Sequence, residues 1–367
     1  MTKPRRELFI GIMSGTSADG VDVALLDLST PVPRQLASRY QAFSPELRAR
    51  ILRLQSPTDD ELHESALLAA ELSRVYARCA NTLLAEAGVA AGDVRAIGCH
   101  GQTVRHRPDA GYTLQLVNGA LLAELTGISI VCDLRSRDVA AGGQGAPLVP
   151  AFHAAVFADA ARHRVIANIG GIANVTDLPR DGAVRGFDTG PGNVLLDAWA
   201  EQHLGTRHDE GGRWAGSGRV IPGLLQALLD HPFFSRRPPK STGREEFNLQ
   251  WLRTKVSAAD RPADVQATLA ELTATSLAQA VGTCCPGVEE LYVCGGGAHN
   301  AALMTALTRN LAHLRVDLTD SLGIPADWVE ASAFAWLAQR TLAALPGNLP
   351  AVTGARGLRV LGAIYPA

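Results

Sequence analysis

Three glycine-rich turns in this chain follow short apolar runs, and each has the residue types that hold a phosphate. The first is Ser14-Gly15-Thr16-Ser17-Ala18-Asp19-Gly20, with Gly11 in the run before it and Asp22 just after. Glycine has no Cβ, so backbone N–H groups in such a turn can approach a phosphate closely. The hydroxyls of Ser14, Thr16 and Ser17 can donate to phosphate oxygens, and Asp19 and Asp22 can hold a metal ion directly or through water. The second turn is Gly170-Gly171, flanked by Asn168 and Asn174. The third is Gly295-Gly296-Gly297, with Asn300 soon after, between a strand and a helix, where nucleotides dock in many α/β folds. Taken singly, each is more simply a turn with no ligand. Three of them along one chain are a far more specific signal. No dinucleotide G-x-G-x-x-G pattern and no Walker lysine motif occurs.

Other residues could act on a second substrate. Asp188 stands in Gly186-Phe187-Asp188-Thr189-Gly190-Pro191-Gly192-Asn193. A carboxylate there can point into a cleft as a general base, or it can cap the helix that follows; the residues alone leave both open. His100 and Gln102 end a buried run, and His100 reads equally as a sugar-orienting group or a satisfied core histidine. Asp133 and Arg135 can be a simple ion pair. Glu330 lies beside Ala331, Ala333, Phe334 and Ala335 on a largely apolar helix, where a charge needs a reason. Lys240 and Arg244 sit in a proline-rich basic loop that is either solvated surface or a contact for an anion. The histidines show no zinc-ligand spacing.

In chain order, GIMSGTSADGVDVALLD, CHGQTVRH, DLRSRDVAAGGQGAPLVPAFH, NIGGIANVT, GFDTGPGNVLLD, RPPKSTGREEFN and CGGGAHN resemble the anhydro-N-acetylmuramic acid kinases. VTGARGLRVLGAIYP near the end is similar to them too. More widely, two phosphate turns and a late adenosine turn resemble the actin/hexokinase/heat-shock-chaperone ATPases. The resemblance implies an α/β fold of two ribonuclease H-like domains around a central nucleotide cleft. It implies an ATP-dependent kinase with Mg2+, which opens the 1,6-anhydro ring of N-acetylmuramic acid with water and phosphorylates the freed oxygen during peptidoglycan recycling. The γ-phosphoryl then does what a glycosidase leaves to its general acid, so one catalytic carboxylate suffices. Asp188 matches the family's base. His100, Gln102, Asp133, Arg135 and Glu330 match its sugar site, and Gly11, Asn168, Asn300 and the three turns match its ATP site. A homodimer is implied by the resemblance alone.

The wider superfamily carries an aspartate just before its first phosphate turn, whereas this chain has Ile10-Gly11-Ile12-Met13. Asp19 and Asp22 are therefore the candidate metal ligands. Ala18 replaces a larger apolar residue common in the narrower family. Two other functions compete: a hexokinase-like kinase in which Asp188 deprotonates a free sugar hydroxyl, and an actin-like or chaperone-like ATPase.

These residues need strands and turns to position them. Leu8 to Met13 and Val21 to Leu28 read as strands around the first turn, Val165 to Ile169 and Ile172 to Asp177 around the second. Val94 to Cys99, Tyr112 to Val117, Ile128 to Cys132, Val184 to Phe187 and Leu291 to Cys294 read as further strands. Helical spacing covers 59–87, with Thr58 and Glu61 as a capping box and Gly88 as its stop. Helices are also expected from Gly119, over Val194 to His203, from Pro262 to near Cys284, from Asn300 and over 325–344. Residues 205–218 and 231–246 read as long loops, and Gly142 to Pro147 as a hinge. The expected domains are 1–136, completed by 346–367, and 137–345.

Composition sets the outer bounds. The 367 residues, 47 % apolar and 19 % charged, describe a globular chain long enough for two cores. Net charge is -2, which argues against nucleic acid or a membrane surface as partner. The six cysteines lie mostly in apolar runs without C-x-x-C spacing, as free thiols of a reducing compartment do. The basic N-terminus lacks the apolar stretch of a signal peptide, and no run is long enough to span a bilayer. The expected location is the cytoplasm.

Overall fold

The structure, a computed structural model, describes residues 6–367. The chain forms two units. One is the described chain up to Val156 together with Trp328–Ala367, and the other is Phe157–Asp327.

The first unit is built on β1 (Leu8–Ser14), β2 (Gly20–Asp27), β3 (Arg34–Ala42), β4 (Val94–Arg107), β5 (Tyr112–Leu116) and β6 (Ile130–Cys132). β1 is buried along its whole length, as a central strand covered on both faces must be. It pairs antiparallel with β2 and parallel with β4. Ile10 and Ile12 face one core, which the helix Glu61–Ala87 closes with Leu68, Leu72, Tyr76, Cys79 and Leu83. Phe9 and Met13 face the other, closed by Phe334, Ala335, Leu337 and Ala338 of the helix Val329–Leu342. That helix lies directly on the strands' backbone. A Cβ on Gly11 would stand 1.7 Å from the Ala331 carbonyl oxygen, and one on Gly98 would stand 1.9 Å from that of Phe334. Gly11 and Gly98 are register partners, so together they form a seat for the helix.

The second unit is built on β7 (Arg164–Ile169), β8 (Ile172–Leu178), β9 (Arg185–Pro191), β10 (Glu290–Cys294) and β11 (Arg315–Leu318). Its sheet order is β11-β10-β7-β8-β9, with β7, β8 and β9 antiparallel and β10 parallel to β7 and β11. The first unit runs β6-β4-β1-β2-β3 by the same rule, and β12 (Ala363–Tyr365) extends it beside β6. In both, the first three strands run antiparallel and two later strands add in parallel on the far side of the first; in the first unit β5 lies off this path, antiparallel to β4. This is the expected pair of ribonuclease H-like α/β domains.

Several local expectations are corrected. The unit boundaries fall at 156/157 and 327/328 instead of 136/137 and 345/346, because the helix Val329–Leu342 packs on β1, β2 and β4. Gly142 to Pro147 is therefore internal to the first unit. The buried Asp138 carboxylate holds this segment, accepting the Gly145 N–H at 2.8 Å. The helix at 61 starts without a side-chain cap. Asp60 takes the N-cap position with φ 55°, and only half of the expected box forms, the Thr58 N–H donating to Glu61 at 2.5 Å. Gly88 does end that helix, at φ 65°. The loops 205–218 and 231–246 contain the short helices Arg213–Ser217 and Pro232–Ser235.

Candidate active site

The first phosphate turn is braced from beneath. Ser14 is buried, and its hydroxyl donates to Gln102 Oε1 at 2.5 Å with Gly20 O at 3.2 Å. The Gln102 amide in turn donates to Gly15 O at 3.0 Å. Ser14, expected as a phosphate donor, and Gln102, expected as a sugar ligand, are both buried here and bond to each other and to the turn. Gly11 and Gly20 are buried as well. Gly11 lies under the helix Val329–Leu342, and a Cβ on Gly20 would stand 2.5 Å from Gln41 O and 2.6 Å from the Tyr40 ring. Gly15, Thr16 and Ser17 form the accessible crest of the turn. Ala18 closes it with φ 54°, fully buried, its N–H bonded to Gly15 O. Asp19 pairs with Arg48 at 3.4 Å, and Asp22 lies half-buried on β2.

His100, Arg135 and Glu330 come together in the same unit. Arg135 Nε and Nη2 lie 3.0 and 2.9 Å from His100 Nε2, and Nη1 donates to Gly145 O at 2.7 Å. Burial, and then the neighbouring guanidinium, push His100 down to about 3. The ring is neutral and accepts at Nε2, which leaves its proton on Nδ1, beside the backbone of Gly101 and Ser14. Burial lowers Arg135 to about 10, opposed by Glu330 and Asp138, so it keeps its charge. Glu330 occupies the first turn of the helix Val329–Leu342. Its carboxylate has no hydrogen bond or ion pair among the described residues, and burial raises its pKa against the pull of Arg135. Asp133 does not pair with Arg135. It is exposed, holds φ 53°, and accepts from Ser136 Oγ at 2.5 Å.

In the second unit, Asp188 lies within β9, which runs on to Pro191. Asn193 is the N-cap residue of the helix Val194–Leu204, so the capping role for Asp188 is ruled out. The register aligns Asp188 with Asn174 and Asn174 with Asn168, a polar row across three strands on one face. Asp188 Oδ2 accepts the Thr242 N–H at 3.0 Å, and the Asp188 N–H donates to Lys240 O at 3.1 Å. Burial lifts Asp188 to about 6, with the Thr242 bond and the Lys240 charge pulling the other way. Oδ1 has no partner among the described residues. Lys240 Nζ lies 3.4 Å from Phe233 O and 4.5 Å from the centroid of its ring, whereas Arg244 is exposed.

The Gly170-Gly171 turn is clamped by the segment after β9. Gly192 and Val194 donate to Gly171 O, and Asn193 donates to Gly170 O through its backbone and to Ile169 O through its side chain. Gly295 adopts φ 82° and packs against Asn168, and Gly297 packs against Ile169. Asn300 caps the helix Ala301–Asn310 by accepting the Leu303 N–H at 3.1 Å. Beside Gly296 and Asn300 opens a cavity of about 390 Å³, whose wall also includes Asn193, Asp197, His208 and His299. That volume falls in the range of small-ligand sites. Sequence reasoning missed Thr242, Asn193 and this cavity. The signal for Asn193 was its place in the Asp188 motif, while the cavity draws on segments about a hundred residues apart, of which the sequence marked only Gly296 and Asn300.

The model of the anhydro-N-acetylmuramic acid kinase family matches residues 7–367. The chain belongs to that family. The family's enzyme from Thiobacillus denitrificans is 57 % identical over 365 residues, 98 % of each chain. The one from Nitrosomonas europaea is 55 % identical over 361 residues, 98 % of this chain and 99 % of that one. Among solved structures, component A of (R)-2-hydroxyglutaryl-CoA dehydratase from Acidaminococcus fermentans aligns with TM-score 0.49 at 13 % identity, over 90 % of this chain and 96 % of that one. A ROK family glucokinase from Streptomyces griseus, in complex with glucose and AMPPNP, aligns with TM-score 0.40 at 14 % identity, over 90 % and 99 %. As a member of the anhydro-N-acetylmuramic acid kinase family, the protein is a sugar kinase that uses ATP.

Proposed function

We propose that Asp188 is the general base with which this kinase activates water against the anomeric carbon of 1,6-anhydro-N-acetylmuramic acid. The observation that carries the reading is the state of its carboxyl group. One oxygen is fixed by Thr242, the other has no protein partner, and the pKa is about 6. Such a group is ionised at neutral pH yet basic enough to take a proton. Water adds to the anomeric carbon as the bond from that carbon to the bridging oxygen breaks. The bridging oxygen takes the γ-phosphoryl group of ATP, Asp188 takes the proton of water, and N-acetylmuramic acid 6-phosphate and ADP leave.

In this reading Thr16, Ser17 and the backbone of Gly15, Gly170 and Gly171 meet the phosphates, and the cavity beside Gly296 receives the nucleoside. Glu330, Arg135 and neutral His100 orient the sugar, Arg135 supplying the fixed positive charge. Mg2+ would neutralise charge on the phosphates. Among the described residues no three acidic, histidine or cysteine side chains converge on one metal position. Magnesium in phosphotransferases commonly takes one or two carboxylates and completes its shell with water and phosphate. Asp19, which also faces Arg48 at 3.4 Å, and Asp22 are the carboxylates beside the turn that would meet that demand.

The six free thiols are consistent with a cytoplasmic location, and no described helix is long and apolar enough to cross a membrane. A homodimer belongs to the same reading and is checked by sedimentation. The deciding experiment weighs the sugar product after incubation with ATP, Mg2+ and the anhydro sugar. A gain of phosphoryl plus water is expected; a gain of phosphoryl alone means a plain hydroxyl kinase, and ATP loss with unchanged sugar means neither. Asp188→Asn is expected to bind nucleotide normally and to lose turnover at least a hundredfold. Unchanged turnover in that variant removes Asp188 from the role.

A further inference from the structure

The segment that holds Asp188 is itself held by a second carboxylate. Thr242 gives its backbone N–H to Asp188 and its hydroxyl to Glu246 Oε2 at 2.6 Å. The other Glu246 oxygen accepts from Arg236 at 2.9 Å, with His231 Nδ1 at 4.0 Å. Phe233, Phe234, Phe247 and Trp251 interlock with His231 around this segment, at centroid separations such as 4.9 Å for His231–Phe247 and 5.2 Å for Phe247–Trp251. Phe234 lies 2.7 Å from where a Cβ on Gly190 would be, so the cluster rests on β9 itself.

We infer that Glu246 is a positioning residue for Asp188, acting through Thr242 to aim the N–H that holds the base; the inference rests on Asp188 being that base. A partly exposed Arg236–Glu246 pair by itself contributes little. The two Glu246 oxygens, however, are divided between a cation and the Thr242 hydroxyl. This ties the threonine side chain to Glu246 while its N–H serves Asp188. A hydrogen bond weakens steeply as its angle opens, so a small rotation of residue 242 is enough to release Asp188. Loss of that bond removes a contribution that favours the ionised base. The charged group facing Asp188 is Lys240, from the same segment, and its β8 neighbour Asn174 is neutral. Glu246 is faced by Arg236 and His231, and Lys255 lies near His231. His231 Nδ1 accepts from the Phe233 N–H, so the neutral ring does not donate to Glu246 from that nitrogen.

The test is the pH profile of kcat/KM of the full chain, with ATP and the anhydro sugar, for Thr242→Val, Thr242→Ser and Glu246→Gln. Thr242→Val and Glu246→Gln are expected to move the acidic limb to higher pH by about half a unit or more and to lower kcat several-fold, with KM for ATP unchanged. Thr242→Ser, which keeps the hydroxyl, restores the wild-type limb. Arg236→Gln, at a more exposed position, gives a smaller shift in the same direction and serves if the other variants fail to fold. Acidic limbs that coincide with wild type in the folded variants overturn the inference. Asp188→Asn keeps the two claims apart. If it abolishes turnover while the limbs stay put, only the role of Glu246 falls; if it turns over normally, the assignment of the base falls first.

Discussion

Asp188 carries a stability cost, one that the proposed general base would need. Its folded pKa of about 6 lies above the ordinary 3.8, so the native state binds the proton more tightly than the unfolded chain. The stabilisation this gives is fully present below 3.8 and is lost as pH rises through about 6. Asp188→Asn, neutral at every pH, is therefore expected to be more stable than wild type by about 1–2 kcal/mol at pH 7.5, allowing for partial exposure, with the difference vanishing near pH 4. Urea denaturation at the two pH values checks this, and equal stability at pH 7.5 counts against a strained base. At this scale the sequence marked Asp188, His100, Arg135 and Glu330 by type and motif. It did not foresee the burial of Ser14, Gln102 and Gly11, because a hydroxyl, an amide or a glycine carries no label saying which neighbour it will meet. Their partners lie 88 positions away for Ser14 with Gln102, and over three hundred for Gly11 with Ala331.

At the scale of elements, the seat made by Gly11 and Gly98 sets the height of the helix Val329–Leu342, and with it the position of Glu330 one residue before Ala331. Gly11→Ala or Gly98→Ala places a methyl group inside a carbonyl's van der Waals radius. Backbone cannot yield as a flexible side chain can, so each is expected to destabilise by about 3 kcal/mol or more, read as a lowered urea midpoint. A midpoint within error of wild type would mean the helix has room to rise. Strong periodicity made Glu61–Ala87 and Pro262–Cys284 legible, and the apolar runs did the same for β1 and β10. The edge strand β3 was not legible: RQLASRYQA is half-buried along most of its length, and none of its residues is fully buried. β9 was read too short because Thr189-Gly190-Pro191 looks like turn chemistry, yet it pairs along β8.

At the scale of the molecule, acid sensitivity follows from buried neutral histidines. His100 and His153 are both held down to about 3 by burial. Below the ordinary 6.5 the unfolded chain takes up protons that the folded one refuses, so stability falls as pH falls. Each histidine contributes up to about 1.4 kcal/mol per pH unit, partly offset by Asp188 and Glu330, which gain protons in the native state. Unfolding free energy is expected to decline between pH 6.5 and pH 5, and a flat profile there would argue that these rings are hydrated. Composition and layout were enough for two α/β domains. The boundary between them was not, because adjacency in sequence hides which sheet a late helix covers.

That late helix has a temporal consequence. The second unit is one unbroken stretch and can assemble from its own residues as soon as they emerge from the ribosome. The sheet made by the opening strands waits much longer. Its Phe9 and Met13 face stays bare until the chain has been read past residue 342. During synthesis the part made first is thus the part finished last, and in that interval the nascent chain carries an uncovered greasy surface that a chaperone would recognise.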